Sequence, residues 1–227
     1  MGMIIPSVAE WLDHSRLLNS KGVFISGTDT GVGKTWVGVH LVQLLRVLGR
    51  EVIVRKPVEA GWAADVTQTD AWQLAQAAGL CPTLAEGVRA LKTVCPYPLQ
   101  APLSPPRAAA LEDKKLKMLD VVATCPTRIS QSQFLFVEGA GGFCSPLTDN
   151  GLNADFAQIL GLPVVIVTED RLGALNQVLM VAEVLKHRYL QLAGVILNTR
   201  EAPPPGMDNL TDLRELLNVP VMRFPQS

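Results

Sequence analysis

Residues 23–36 of this chain read Val-Phe-Ile-Ser-Gly-Thr-Asp-Thr-Gly-Val-Gly-Lys-Thr-Trp. A short apolar run typical of a buried strand leads into a glycine-rich turn, and the pattern predicts that a helix begins near Gly33. At such a helix N-terminus, backbone N–H groups can face phosphate oxygens. Lys34 can then reach the β- and γ-phosphates, and the Thr35 hydroxyl can ligate Mg²⁺. The stretch therefore predicts a strand, a phosphate-binding loop (P-loop) and a helix.

The loop is one residue longer than the standard motif. A Gly-x-x-x-x-Gly-Lys-Thr pattern would place its first glycine at position 28, but Thr28 stands there and the glycine is Gly27. The alternative interpretation is a tight strand-to-helix turn that binds nothing. The apolar strand directly before Gly-Lys-Thr is the context that favours the P-loop.

Composition limits the class of protein. The chain has 227 residues, of which 48% are hydrophobic and 18% charged, so it is long enough for one large α/β domain, and we expect one. The formal net charge of -1 provides no bulk attraction to nucleic acid or to an anionic membrane. A nucleotide, and not a nucleic acid, is the expected phosphate partner.

The remaining composition favours a cytoplasmic protein. The four cysteines show no C-x-x-C spacing, so neither a zinc site nor a disulfide framework is indicated. The first twenty residues lack the apolar core of a signal peptide, and no apolar run reaches membrane-spanning length. We therefore expect reduced thiols and no membrane association.

Apolar runs alternate with amphipathic helical patterns along the chain. This alternation predicts a doubly wound α/β fold with a mostly parallel sheet of about seven strands and helices on both faces, over residues 21–227. An accessory helix is predicted within residues 1–20, with Ser7 as N-cap, Glu10 completing a capping box, and an end near Leu18. The clearest predicted strands are 23–26, 52–55, 134–137, 163–168 and 192–197.

Charged residues follow the predicted strands, where open α/β sheets place their ligands. Lys56 follows the second strand and is a candidate second cation, although a lysine there can be simply solvated. Glu138 ends the third strand and can hold Mg²⁺ through oxygen, with a structural role as the alternative. Asp70 opens a helix, where it can reach the metal or only favour the helix dipole.

Other segments give weaker signals. Asn198 ends the fifth predicted strand and suits an adenine edge, although a turn-forming role is equally compatible. Residues 171–176 link a predicted strand to a long helix and lie at the helix N-terminus, which could take an anionic group. The proline-rich stretch 81–106 predicts an irregular excursion, and the lysines within 114–117 predict a solvated helix face.

The ordered set of motifs resembles the dethiobiotin synthetase family from about residue 22 to the C-terminus. The set is Gly27-Thr-Asp-Thr-Gly-Val-Gly-Lys-Thr35, Lys56-Pro57-Val58, Asp70, Val137-Glu-Gly-Ala-Gly-Gly142, Pro146-Leu147, Leu172-Gly173 to Asn176, and Asn198. The resemblance implies a P-loop NTPase-like fold and a homodimer with sites at the subunit interface. It also implies ring closure of 7,8-diaminononanoate with CO₂ or bicarbonate and MgATP, through a carbamate and a carbamic-phosphoric anhydride.

The resemblance also implies roles for individual residues. Catalytic residues would be Lys34, Lys56 and Thr30. The nucleotide would be bound by Gly31, Val32, Gly33, Lys34, Thr35 and Asn198, and Mg²⁺ by Thr35, Asp70 and Glu138. The substrate would be bound by Lys56, Ala60 and Gly141, with its carboxylate at Gly173 to Asn176 of the neighbouring subunit.

Two positions depart from many members of that family. Gly31 stands where many members carry an acid, and Ala60 where they carry a Ser or Thr hydroxyl near the carbamate. One alternative is therefore an ATP-binding homologue with weakened catalysis. A partitioning-type ATPase would need its signature lysine where Asp29 stands, and a P-loop amidoligase would need a glutamine-hydrolysing domain that does not follow.

Overall fold

The structure is a computed structural model that describes residues 5–81 and 83–225. Its strands are β1 Gly22–Gly27, β2 Glu51–Arg55, β3 Val58–Ala60, β4 Tyr97–Leu99, β5 Gln133–Gly142, β6 Pro146–Thr148, β7 Gly151–Leu152, β8 Val164–Glu169, β9 Leu192–Thr199 and β10 Val221–Pro225. Its helices are α1 Ile5–His14, α2 Lys34–Val47, α3 Asp70–Ala77, α4 Leu84–Val94, α5 Pro105–Ala110, α6 Met118–Val122, α7 Asn153–Leu160, α8 Ala174–His187 and α9 Asn209–Leu216.

A parallel sheet of six strands forms the centre of the molecule, in the order β10-β9-β8-β1-β5-β2. Two two-stranded pairs, β3 with β4 and β6 with β7, lie outside this sheet. The predicted doubly wound, mostly parallel α/β fold is confirmed, with six strands in the central sheet where about seven were expected. The predicted strand positions agree with β1, β2, β5, β8 and β9.

Both faces of the sheet are covered, which explains why β1 is apolar without alternation. Val23 and Ile25 pack in one core cluster with residues of α2 and α3. Phe24, between them, points to the opposite face and packs in a second cluster with α7. There its ring meets that of Phe156 edge-on, with centroids 5.5 Å apart.

The N-terminal helix differs from its predicted boundaries. Helix α1 is already formed at Ile5, so Ser7 lies within the helix and is not its N-cap. It ends at His14, and a separate 3-10 turn, Leu17–Asn19, follows before β1. Trp11 is 4% exposed and donates its Nε1–H to the Pro220 carbonyl at 3.1 Å. Helix α1 is thus packed into the main core next to β10.

Truncation of Trp11 should therefore destabilise the whole protein. We expect Trp11→Ala to lower the free energy of unfolding by about 3 to 5 kcal/mol, the usual cost of deleting a buried large aromatic side chain. Urea denaturation followed by circular dichroism measures the change. The control is Leu119→Ala, since Leu119 is 74% exposed. Equal, small effects of both substitutions would show that α1 contributes little to the core.

The segment after α3 is more ordered than predicted. The proline-rich stretch contains α4, β4 and α5, with Thr83 capping α4 by accepting the Glu86 N–H at 3.3 Å. The lysines of the lysine-rich stretch are exposed, but the stretch is a loop and not a helix. The loop is held extended because its Leu116 N–H is donated to the Asp149 carboxylate at 3.0 Å. Such a long-range tie leaves no local signal in the sequence.

No helix in the described part of the chain combines the length and the apolar character needed to cross a membrane.

Candidate active site

The P-loop connects the end of β1 to the start of α2, as predicted. Gly33 precedes α2 with φ of 91°, in the left-handed region that favours glycine. A Cβ atom at Gly33 would also collide with Nδ2 of Asn198, so a larger residue would displace that side chain. Asn198, at the end of β9, donates that Nδ2 to the Val32 carbonyl at 3.0 Å. The last turn of the loop is therefore fixed from the neighbouring part of the sheet.

Lys34 lies beneath the loop and is largely buried. Its Nζ donates to the Asp29 carbonyl at 2.9 Å, inside the loop. Burial lowers the pKa of Lys34 to about 8, and the nearby charge of Lys56 is the next cause. Thr30 is exposed at the tip of the loop, where its N–H is donated to the Asp29 carboxylate at 2.7 Å. Lys34 and Lys56 therefore lie close enough in this buried region for the charge of Lys56 to affect the pKa of Lys34.

Lys56 lies at the centre of a buried charge cluster. It follows β2, while Glu138 belongs to the neighbouring strand β5, so their side chains meet at one edge of the sheet. The Lys56 Nζ is 2.5 Å from Oε1 of Glu138 and 3.1 Å from Oδ2 of Asp70. The Thr35 hydroxyl donates to the same Oε1 of Glu138 at 2.8 Å. The predicted candidates from four different segments are therefore in contact.

These contacts set the protonation of the cluster. Burial by itself lowers the pKa of Lys56, but the carboxylates of Glu138, Asp70 and Glu59 outweigh it and raise that pKa above its ordinary value. Burial opposes ionisation of Asp70, yet the Lys56 ammonium lowers the pKa of Asp70 below its usual range. Lys56 is accordingly held as an ammonium ion, with Asp70 as a carboxylate beside it.

The oxygen atoms of this cluster fit a Mg²⁺ ion. Glu138 is 1% exposed, and its Oε2 is buried without a hydrogen-bond partner among the described residues. Thr35 and Asp70 add a hydroxyl and a second carboxylate, which are hard ligands of the kind Mg²⁺ prefers. Within residues 5–81 and 83–225, no group of three His, Cys, Asp or Glu side chains could hold a metal. The cluster instead offers two carboxylates and one hydroxyl, so a Mg²⁺ ion held there would complete its coordination with other oxygen atoms, such as those of a phosphate.

A cavity of about 660 Å³ opens over the P-loop and the charge cluster. Among its lining residues are ten of those selected from the sequence: Thr30, Gly31, Gly33, Lys34, Thr35, Lys56, Ala60, Asp70, Glu138 and Gly141. Four other selected residues do not line it. Val32 and Asn198 are buried behind the loop, and Gly173 and Asn176 are exposed at the start of α8. The cavity of a single chain therefore unites most, but not all, of the predicted site.

The glycine-rich loop after Glu138 is held by Asn153. Asn153 is the first residue of α7 and is fully buried. Its Oδ1 accepts the Ala140 N–H at 3.0 Å, and its Nδ2 donates to the Ala140 carbonyl at 2.6 Å. Gly141 has φ of 79°, so the chain turns there toward the cavity. The amide of Asn153 thus shapes one wall of the site.

Sequence reasoning missed several residues of the cavity wall. Glu59 is 7% exposed, and burial raises its pKa although Lys56 opposes this. Arg200 donates a guanidinium N–H to the Gly31 carbonyl. Both stand within three residues of a predicted site residue, Lys56 and Asn198 respectively, which is the signal that could have identified them. Trp36, Gln73 and Ser145 also line the cavity.

Comparisons with known proteins give one consistent result. A family model described as an AAA domain matches residues 21–223. The ATP-dependent dethiobiotin synthetase BioD of Anaeromyxobacter dehalogenans (strain 2CP-C) is 39% identical over 178 residues, which are 78% of this chain and 76% of that protein. The protein of the same name from Bacillus thuringiensis (strain Al Hakam) is 34% identical over 88% of this chain and 81% of that protein.

Among solved structures, the kinase domain of Escherichia coli tyrosine kinase ETK is similar in fold alone. Its TM-score is 0.52 and its sequence identity 12%, with 90% of this chain and 78% of that chain covered. The sequence matches, in contrast, extend over most of both chains at an identity that defines a family. The chain belongs to the ATP-dependent dethiobiotin synthetase family of ligases.

Proposed function

We propose that this protein converts 7,8-diaminononanoate, CO₂ and ATP to dethiobiotin, ADP and phosphate in the cytoplasm, with Mg²⁺ as the metal. The observation that carries the proposal is the convergence of two buried lysines and three oxygen ligands on one cavity beside a P-loop. An enzyme that transfers a phosphoryl group to a carbamate must neutralise several negative charges at once, and this cluster has that composition.

The nucleotide would bind along the P-loop. The N–H groups at the start of α2, around Gly33, would face the phosphates, as helix N-termini do. Lys34, whose Nζ donates to the Asp29 carbonyl in the structure, would turn to the β- and γ-phosphates. Asn198 is proposed for adenine, and its Oδ1 is buried without a partner in the described residues, so an acceptor remains for the adenine amino group.

The metal would be held by Thr35, Asp70 and Glu138. When bound, Mg²⁺ supplies charge neutralisation on the transferring phosphoryl group. In the structure, the Lys56 ammonium bridges the carboxylates of Glu138 and Asp70. We infer that Lys56 turns from these carboxylates toward the carbamate once a second cation shares them. This exchange would keep the cluster close to electrical balance.

The chemistry then proceeds in three steps. One amine of the substrate adds to CO₂ to give a carbamate, with loss of a proton. A carbamate oxygen attacks the γ-phosphorus, and ADP leaves. The second amine attacks the carbamoyl carbon of the mixed anhydride, and phosphate leaves as the ring closes. Lys34 and Lys56 are proposed to stabilise the charge on the phosphate and carbamate oxygens, with Thr30 at the loop tip, while Ala60 and Gly141 shape the substrate side of the cavity.

Product analysis tests the proposal. The protein is incubated with the diamine, bicarbonate and MgATP, and the products are identified by mass spectrometry. We expect dethiobiotin and ADP in equal amounts, and neither product when the diamine is omitted. Nucleotide binding without dethiobiotin would instead favour a catalytically weakened homologue, for which the missing hydroxyl at Ala60 is the candidate cause. An amide formed at a carboxylate with cleavage of ATP, in place of dethiobiotin, would favour a related amidoligase.

The substrate carboxylate is proposed to bind at the start of α8 of a neighbouring subunit. Gly173 and Asn176 are exposed and lie apart from the cavity of their own chain, and the helix N-terminus there can accept an anion. Leu172 and Met180 are 81% and 55% exposed beside them, which supports burial in a symmetric dimer.

We therefore expect a homodimer at enzymatically active concentrations, measured by sedimentation velocity. Met180→Glu should shift the protein toward monomer, because it places a charge in the proposed apolar contact. Leu119→Glu, at an exposed position of α6, should leave the dimer intact. A protein that sediments only as a monomer while it is fully active would contradict the subunit arrangement.

A further inference from the structure

Glu59 is a buried carboxylate in the cavity wall to which the proposed chemistry assigns no role. It lies on the short strand β3, between Lys56 and the substrate-facing Ala60. A carboxylate that is 7% exposed is costly unless it is paired. The partners of Glu59 therefore indicate what it contributes to the site.

The side chain of Glu59 accepts two successive backbone N–H groups at the start of α3. Its Oε1 accepts from Asp70 at 2.9 Å and its Oε2 from Ala71 at 2.9 Å. The next N–H, that of Trp72, is accepted by the Thr69 hydroxyl at 3.1 Å. The first N–H groups of a helix have no partner within the helix, so Glu59 and Thr69 satisfy them from outside. Hydrogen bonds to an ionised acceptor are among the stronger ones in proteins.

The residue held by Glu59 is also a member of the charge cluster. Asp70 donates its N–H to Glu59, and its own carboxylate is 3.1 Å from the Lys56 ammonium. The side chain of Asp70 is 43% exposed, so the surrounding packing does not enclose it. Apart from its contact with Lys56, the position of the Asp70 carboxylate therefore depends on its main chain, which Glu59 binds to β3. The substrate side and the metal side of the cavity are joined through this contact.

We propose that Glu59 is a positioning residue: it clamps the first turn of α3 to β3 and so holds the Asp70 carboxylate where it can ligate Mg²⁺. This inference rests on the proposed metal role of Asp70 within the proposed function. A carboxylate near a cation could also act by charge alone, without fixing α3. The two roles differ in what they require of the side chain, and substitutions can separate them.

Two substitutions remove the clamp in different ways. Glu59→Gln keeps the size of the side chain but turns one acceptor into an amide donor, which cannot accept the second N–H. Glu59→Asp keeps the charge but is one methylene shorter, so it cannot reach both N–H groups from β3. The matched control is Glu86→Gln, because Glu86 lies in the first turn of α4 outside the cavity wall, where its carboxylate accepts the Thr83 hydroxyl at 2.5 Å.

Two measurements are made on the full chain. Hydrogen-deuterium exchange of the nucleotide-free protein reports on the Asp70 and Ala71 amides, and calorimetry of ATP binding at a series of Mg²⁺ concentrations reports on the metal. We expect exchange at these amides to be roughly 10-fold faster in both Glu59 variants, the loss of about one hydrogen bond to a charged acceptor. The Mg²⁺ concentration for half-maximal ATP binding should rise roughly 5- to 10-fold in both variants. Glu86→Gln should change neither quantity.

The outcomes separate the possibilities. The proposal is supported if the Mg²⁺ requirement follows the exchange rate across the variants. It is overturned if Glu59→Asp needs no more Mg²⁺ than the parent although its amides exchange faster, because charge alone would then suffice. Unchanged exchange in Glu59→Gln would overturn it as well. Neither measurement uses the diamine, so a failure of the protein to form dethiobiotin would count against the proposed function and not against this inference.

Discussion

Replacement of Lys56 by Met is expected to lower kcat for the diamine by about 10²- to 10³-fold, or roughly 3 to 4 kcal/mol of transition-state stabilisation. This is the usual effect of removing one preorganised donor from a site that excludes water. Lys56 is 4% exposed and is held beside Glu138 and Asp70, so its charge is fixed before the reaction begins. ATP binding should weaken much less, because Lys34 remains on the phosphate side.

The substitution also removes the ammonium that pairs with two carboxylates. Breaking a buried ion pair from one side costs about 3 to 5 kcal/mol of stability when the remaining charge has no other partner. We therefore expect a lower melting temperature without Mg²⁺, and a partial recovery on addition of MgATP, which supplies another cation. The control is Lys115→Met in the exposed loop before α6, which should leave activity and melting unchanged. Normal turnover by Lys56→Met would exclude Lys56 from catalysis.

The fold could be predicted because its signals are local. Residues such as Phe24 stand in unbroken apolar runs that only a sheet covered on both faces accommodates. Lys56 and Glu138 could be selected because parallel strands bring their carboxyl ends to the same edge of the sheet. Adjacency in the sheet then places them in contact, although it was not visible in the sequence that β2 and β5 are neighbours.

Features that depend on long-range pairing could not be predicted. Glu59 accepts the N–H of Asp70 across a loop, and its position near Lys56 in the sequence does not reveal that contact. Asn153 resembles a helix cap, yet its amide binds the loop after Glu138. The lysines before α6 are solvated, as expected, but the Asp149 carboxylate keeps that segment from forming a helix. Each difference arises because a tertiary hydrogen bond outweighs a local preference.

Replacement of Glu138 by Gln is expected to raise the Mg²⁺ concentration for half-maximal turnover and to lower kcat by about 10²-fold or more, because the site loses one anionic oxygen ligand. Glu138 is 1% exposed, so a water molecule cannot replace the lost carboxylate oxygen as a ligand unless the site rearranges. The amide oxygen of Gln can still accept from Lys56 and Thr35. The shape of the site is thus retained while its charge changes.

The effect of Glu138→Gln on folding should be smaller than its effect on activity. The new NH₂ group would take the place of Oε2, which is buried without a partner in the described residues, and an unsatisfied buried donor costs about 1 to 3 kcal/mol. Lys56 keeps Asp70 as its partner at 3.1 Å, so its charge is not left unpaired.

Steady-state rates over a range of Mg²⁺ concentrations, beside melting curves, measure both effects of Glu138→Gln. The control is Glu215→Gln, at an exposed position of α9. Because metal binding follows mass action, high Mg²⁺ should restore part of the lost rate. A variant whose rate is unchanged at every Mg²⁺ concentration would remove Glu138 from the metal site.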